Sequence, residues 1–307
     1  MKPLRSALLW ASQSKRLERL VRLSRAMRPL VAKFMPGEAI DSAIAAVRKL
    51  SAEGTPTIIT YLGENVATDA AADQNLAEYE RLFAALKNEG GDAHVSIKLT
   101  QFGWDVDQAK ALERVRRLVK LAAANKTMLC IDMESSGYVE STVAAYETLA
   151  REFDNTALCV QAYLHRTQAD LQRLMTLKPY IRLVKGAYNE PADVAVSRRV
   201  DVDARFRTLA REMLGAASQG VRAVFGTHDI ELLGRIRQDA RVLGVPETAF
   251  EVQMLYGIQD AGRRKLAGEG IRTRVLISYG KAWYPWFMRR LAEKPANLLM
   301  VARNLFG

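Results

Sequence analysis

Arg289 and Arg290 stand side by side in the segment RVLISYGKAWYPWFMRRLAE, residues 274–293. The segment opens as an apolar, β-branched run, bends at Tyr279-Gly280 and goes on with helical spacing. That spacing puts Trp286, Arg289, Arg290 and Glu293 at i, i+3, i+4 and i+7, on one helix face. Two guanidiniums beside tryptophan rings form a forked, aromatic-walled receptor for a carboxylate or phosphate. The same residues also suit a basic surface helix whose Arg290–Glu293 pair contributes only about a few tenths of a kcal/mol. What the rest of the chain brings near this helix decides between the two.

Eight short apolar runs recur before and within that segment, at 58–63, 94–100, 128–133, 157–164, 181–187, 222–227, 249–255 and 273–279. Amphipathic stretches of helical period separate them, DQNLAEYERLFAALKN and DQAKALERVRRLVKLAAA among them. Alternation without hairpin signals predicts an α/β fold, a parallel (β/α)8 TIM-type barrel; an open doubly wound sheet is the competing arrangement. No G-x-G-x-x-G follows the first run, so the usual dinucleotide fingerprint is missing. The first 35 residues hold nine Lys/Arg and a single acid, Glu18, with a helical apolar stripe. They read as a basic arm packed on the main body; an Arg-rich transit segment or a membrane-surface helix fits less well. The chain then divides at Met35-Pro36-Gly37, with a further helix through 38–52. The expected organisation is an N-terminal helical arm over 1–53 and one barrel over 54–307.

In such a barrel, chemistry sits at the C-terminal strand ends. Polar residues occur there on nearly every strand: Glu64, Lys98, Asp132 with Glu134, Gln161, Arg182 with Lys185, Thr227-His228-Asp229, and Glu251 with Gln253. Any one of them can be a satisfied core group. Burying Lys98, Arg182 and Lys185 together without anions would cost several kcal/mol each, so the mouth must bring anions to them. Lys98 and Asp132, on consecutive strands, are placed to pair, which would keep the lysine charged beside a ligand anion. Lys185 in RLVKGAY also has the position of a Schiff-base lysine in a class I aldolase-type lyase. His94, His165 and His228 share no ligand spacing, which argues against a metal, and no nucleophile elbow is present. His228 is a candidate hydrogen-bond donor to a ligand.

Composition bounds the partners. Hydrophobic residues make up 49% and charged residues 26%, so a sizeable core is available. A net charge of +11 calls for an anionic substrate, a cofactor phosphate, a nucleic acid or a lipid headgroup. Cys130 and Cys159 lie in apolar runs and read as core thiols of a reducing compartment. No apolar run reaches the roughly 18–20 residues that span a bilayer. The expectation is a soluble, cytoplasmic chain with room for peripheral contact at the inner membrane.

With its motifs in order, YLGENV, SIKLTQFG, IDMESS, VQAYLHRT, IRLVKGAYNEP, FGTHD, FEVQMLYGI and WYPWFMRRLAEKPAN, the chain resembles the monofunctional bacterial proline dehydrogenases. The resemblance covers nearly all of residues 57–307. It implies a noncovalent FAD on the C-terminal side of the barrel and a final helix across the mouth. Arg289 and Arg290, with Lys98, would clamp the carboxylate of L-proline; Asp132 would hold Lys98, and Glu293 would support the arginines. Glu64 would pair with Arg289 as a gate, and Tyr188 would line the pocket. Gln161, Arg182, Lys185, Gly186, Thr227, His228 and Glu251 would hold the flavin. The reaction implied is hydride transfer from C5 of proline to flavin N5, giving Δ1-pyrroline-5-carboxylate, with a membrane quinone as acceptor and no role for nucleic acid. The protein's share is positioning, with the donor carbon within about 3.5 Å of the flavin. Leu276 and Trp286 stand where relatives carry tyrosines against the substrate ring, and Thr60 replaces an aspartate. Loss of those hydroxyls predicts wider ring tolerance, extending to a dehydrogenase of a modified cyclic imino acid. A class I aldolase-type lyase and a basic, non-enzymatic binding protein are the alternatives from other classes.

Overall fold

The computed structural model describes residues 14–24, 27–89 and 91–293. Its eight strands close into one all-parallel barrel in sequence order, β1 pairing with β8. They are β1 Thr57–Tyr61, β2 Ala93–Ile97, β3 Leu129–Ile131, β4 Thr156–Gln161, β5 Tyr180–Val184, β6 Arg222–Gly226, β7 Phe250–Leu255 and β8 Arg272–Tyr279. The open doubly wound sheet is thereby excluded. Most strands stop before the predicted ends, because the polar mouth residues leave the ladder for loops where they can turn inward.

Among the described residues, three helices precede the barrel: α1 Lys15–Leu23, α2 Met27–Phe34 and α3 Ile40–Ala52. Seven join the strands: α4 Asp69–Lys87, α5 Gln108–Ala124, α6 Val139–Glu152, α7 Thr167–Leu174, α8 Arg199–Gly215, α9 Ile230–Val242 and α10 Asp260–Gly268. The last among the described residues, α11 Trp283–Glu293, follows β8. Several start on side-chain caps read easily from sequence. Thr68 accepts from Ala71 N at 3.2 Å, Asp107 from Lys110 N at 3.1 Å and Asp229 from Leu232 N at 3.1 Å.

Strand alternation sends Ile59, Ile131, Leu158, Phe225 and Ile277 outward into the main apolar layer beneath the helices. Their neighbours Ile58, Cys130, Ala157, Tyr180 and Val224 form a separate cluster inside the barrel, with Leu276 packed against it. Both cysteines are buried, and burial pushes their thiols up. A third cluster joins arm and final helix: Met27, Leu30 and Phe34 of α2 against Trp283, Trp286, Phe287 and Leu291 of α11. Polar ties lock the same seam. Trp283 Nε1 donates to Glu38 Oε1 at 2.7 Å, and the Arg22 guanidinium lies 4.9 Å from the Trp283 ring centroid. Gly280, at φ +120°, makes the bend before α11; a Cβ there would meet the Tyr61 ring at 2.7 Å.

A charged plug closes the barrel's N-terminal end. Arg274, 1% exposed, donates to Glu251 at 2.8 and 3.0 Å, to Asp92 at 2.9 and 3.0 Å and to the Thr57 carbonyl at 2.9 Å. Arg272 adds a bond to Glu251 at 3.0 Å and another to Asp92. His94 lies beside this plug, and burial, then the Arg274 charge, push its imidazole down to about 4. The unfolded chain protonates that imidazole near its usual value of roughly 6.5, while the folded chain resists until about 4. Stability should therefore fall as pH drops from about 6.5 towards 4, by up to about 1.4 kcal/mol per pH unit. Urea titrations across that window check it: His94→Gln should flatten the slope, and an unchanged slope would remove His94 as its source.

Candidate active site at the barrel mouth

The loops after β1 and β2 and helix α11 converge on one charged group. Arg289 donates to Glu64 at 2.9 and 3.3 Å, and Lys98 Nζ lies 3.9 Å from the same carboxylate. Burial raises the Glu64 carboxyl, but Arg289 and then Lys98 outweigh it and hold the group below its ordinary value. Burial pushes the Lys98 ammonium down, and Glu64 partly offsets that. Arg289 also lies over the Tyr188 ring, 6.0 Å from its centroid. Burial, then the Glu64 charge, raise the Tyr188 phenol, so it stays a neutral donor. Arg290, next on the helix, is half-buried. The Glu293 side chain lies outside the described residues.

Asp132 does not hold Lys98. It takes an ion pair from Arg182 and a 2.6 Å hydrogen bond from Ser96 Oγ. Asp132 immediately follows β3 and Arg182 is on β5. Alternate strands contribute to the same layer of a barrel interior, so the short carboxylate meets the long guanidinium across it. Arg182 also reaches Gln253 Oε1 at 3.3 Å and is 5% exposed, an interior cross-tie whose fork is already engaged. Glu251 is also displaced from its expected place. It is the second residue of β7 and belongs to the charged plug, at the end of the barrel opposite the mouth. In a parallel barrel the early residues of a strand lie away from the mouth, and Glu251 comes second in β7.

The remaining strand-end residues do gather at the mouth. Lys185 Nζ sits 2.5 Å from Asp203 and 2.8 Å from Asp229, and Asp229 also caps α9. An amine nucleophile needs a desolvated, uncompensated lysine; two carboxylates in contact are the opposite environment. The Schiff-base alternative loses its basis there. Gly186, at φ +117°, packs so closely that a Cβ would lie 2.3 Å from the Tyr163 ring. Thr227 Oγ1 accepts from Asp229 N at 3.2 Å, and His228 Nε2 accepts from Leu255 N at 2.9 Å, which leaves the ring proton on Nδ1. Gln161 donates to the carbonyls of Met133 and Glu134 at 3.2 and 2.8 Å. Those bonds fix its amide orientation, and its buried Oε1 has no partner among the described residues. Leu276 is half-buried and faces the barrel interior. Trp286 is 8% exposed and belongs to the seam with the arm, so part of its ring serves packing.

Reading strand ends alone missed the residues that tie the loops together. Ser136 N and Oγ both bind Glu190, at 2.8 and 2.5 Å, joining the loop after β3 to the one that carries Tyr188. Among the described residues no three His, Cys, Asp or Glu side chains gather as a metal site.

The sequence that builds this cationic mouth matches a known family. The proline dehydrogenase family model matches residues 43–303. The chain belongs to the proline dehydrogenase family. Proline dehydrogenase 1 of Bacillus subtilis (strain 168) is 34% identical over 98% of this chain and 99% of its own length. The proline dehydrogenase of Deinococcus radiodurans is 35% identical over 98% of this chain and 97% of its own. The bifunctional protein PutA of Escherichia coli is 26% identical, and the match takes in 91% of this chain but only 24% of PutA. Among solved structures, proline utilization A from Bdellovibrio bacteriovorus superposes with a TM-score of 0.81 at 20% identity, over 94% of this chain and 38% of that one, a likeness of fold. As in the stand-alone proline dehydrogenases, the chain's activity is oxidation of proline, the first step of its catabolism.

Proposed function

We propose that the chain oxidises L-proline to Δ1-pyrroline-5-carboxylate with a noncovalent FAD, and that a membrane quinone takes up the electrons. The observation that carries this reading is the group at the mouth: Lys98 and Arg289 meet on the single Glu64 carboxylate, with Arg290 adjoining. Two cationic donors sharing one carboxylate beneath a covering helix suit one small carboxylate as a further partner. In this reading Lys98, Arg289 and Arg290 bind and orient the proline carboxylate. Tyr188 and Leu276 line the ring, and α11 keeps water from the mouth. Glu64 closes over the occupied site through Arg289. Trp286 contributes a wall, shared with the arm.

The residues present fit a flavin. The orphaned, fixed Gln161 Oε1 is an acceptor awaiting an N–H donor, and glycine at 186 lets the backbone pack bare against the Tyr163 ring. Gln161, Lys185, Gly186, Thr227 and His228 would hold the group, with the Arg182 charge nearby; Glu251 would not. When bound, FAD supplies the hydride acceptor for proline C5. The net charge of +11 and the basic arm support peripheral contact with a membrane that holds the quinone. Among the described residues no helix is long and apolar enough to cross one.

Purified protein should absorb near 380 and 450 nm, roughly the general flavin signature, and heat should release the chromophore intact. Colourless protein that gains no proline-dependent quinone reduction on adding FAD would overturn the assignment.

Leu276 permits a second test. It faces the interior where a tyrosine would present a hydroxyl and a wall, so ring-modified substrates should be less strongly rejected. Bare room discriminates weakly, and an unpaired buried hydroxyl on the ligand costs about 1–3 kcal/mol. Proline should stay the best substrate, and Leu276→Tyr should raise the ratio of kcat/KM for proline over 4-hydroxyproline. An identical ratio in both proteins would show that residue 276 does not face the ring.

A further inference from the structure

We infer that Thr100 is a positioning residue for the proline site, setting Glu64 against Arg289 and Lys98 through the turn at Asn65-Val66. The inference rests on the proposed seating of proline at the Lys98–Arg289 clamp.

Thr100 is fully buried, two residues beyond Lys98 in the short turn that follows β2. Every polar group it owns is committed. Its hydroxyl donates to Glu134 Oε2 at 2.6 Å and accepts from Asn65 N at 3.0 Å. Its backbone N–H donates to Glu134 Oε1 at 3.2 Å, and its carbonyl accepts from Val66 N at 3.1 Å. A hydroxyl with donor and acceptor both used has no freedom to rotate, so the loop after β1 is fixed to the loop after β3 through one side chain. Glu134 is 3% exposed and is itself fixed, because its own carbonyl accepts from Gln161.

The turn held this way is left-handed at its first residue. Asn65 sits at φ +55°, a left-handed conformation that non-glycine residues seldom adopt. Both N–H groups that pin it, at Asn65 and Val66, end on Thr100. Glu64 immediately precedes this turn, so its direction follows from the turn's shape. Lys98 lies on the other arm of the same device, its N–H held by Gln101 Oε1 at 2.8 Å. One residue thus registers the acid on the first loop against the lysine on the second, while Arg289 arrives from the far end of the chain.

Thr100→Val keeps the shape and removes the hydroxyl. It should raise the proline KM about tenfold, the scale of one buried hydrogen-bonding group left unpaired, and leave kcat and flavin content near the parent's. Thr100→Ser should restore the parent KM. The effect should vanish when Glu64 is already Ala, because Thr100 acts through that carboxylate. Asn65→Val, at the exposed partner, strains the left-handed turn from the other side and should also raise KM only while Glu64 is present. That variant serves if Thr100→Val does not fold. Parent KM in the folded Thr100 variant, or in Asn65→Val, would overturn the inference. So would a rise that persists in the Glu64→Ala background. If Arg289→Met also leaves KM unchanged, the seating of proline has failed; if Arg289→Met raises it while these variants do not, only the role of Thr100 has failed.

Discussion

Arg289→Met should raise the proline KM by roughly 30- to 1,000-fold, the equivalent of about 2–4 kcal/mol for one lost charge-assisted fork shielded from water. Methionine retains the bulk and apolar stem of arginine, so α11 keeps its packing on the arm. Flavin content should not change, because Gln161, Lys185, Thr227 and His228 lie on other elements. The variant also releases Glu64, whose carboxyl is held low by Arg289 against burial. Its pKa should rise, so activity would become more sensitive to mild acid than in the parent. Arg290→Met should act in the same direction on KM. Steady-state kinetics with a quinone acceptor measure all of this. Parent KM values in both variants would reduce the pair to a basic surface feature.

Arg274→Met should act on stability with equal force and leave KM alone. The guanidinium is buried against Glu251 and Asp92, and its removal leaves buried Glu251 and part-exposed Asp92 with Arg272 as their remaining arginine. Breaking a buried pair from one side costs about 3–5 kcal/mol. For a domain of this size that corresponds to a Tm lower by roughly 6–15 °C. Proline KM should stay at the parent value below the transition, since the plug lies at the end of the barrel opposite the clamp. A Tm within about 2 °C of the parent would mean that water or rearrangement compensates the carboxylates. The two Arg-to-Met variants form a contrast: in the proposed reading one site uses charge to recognise a ligand, while the other uses buried charge to hold the barrel closed.

That contrast also marks what the sequence could and could not show. The eight apolar runs predict the barrel because parallel strands buried on both faces need them, and closure follows from their even spacing. The facing of Arg289 and Glu64 was legible through resemblance, not spacing, because 225 positions separate them. Glu251 was misplaced because an acidic residue in an apolar strand signals burial without saying at which end. The i, i+2 pair Arg272 and Arg274 did carry that information: two arginines on one face at the start of β8 demand anions at the bottom of the barrel. Asp132 was paired with Lys98 on adjacency along the sheet, whereas layers in a barrel interior connect alternate strands. Thr100, Ser136 and Glu190 left no mark in sequence, since a threonine or serine beside a strand end is ordinary until its partners are known.

The seam between α2 and α11 also governs the order in which the enzyme can be completed. Leu30 and Phe34 emerge early in synthesis, yet their partners Trp283, Phe287 and Leu291 are among the last described residues to be made. Through most of elongation that apolar stripe has no native surface to cover it, and β1 likewise waits for β8. A nascent chain must therefore carry an uncovered apolar stripe until α11 has been made, and exposed apolar surface of that kind is prone to aggregate. Because α11 also brings Arg289, the step that hides the stripe is the step that delivers the partner of Glu64. A half-made chain gains neither solubility nor function ahead of the other.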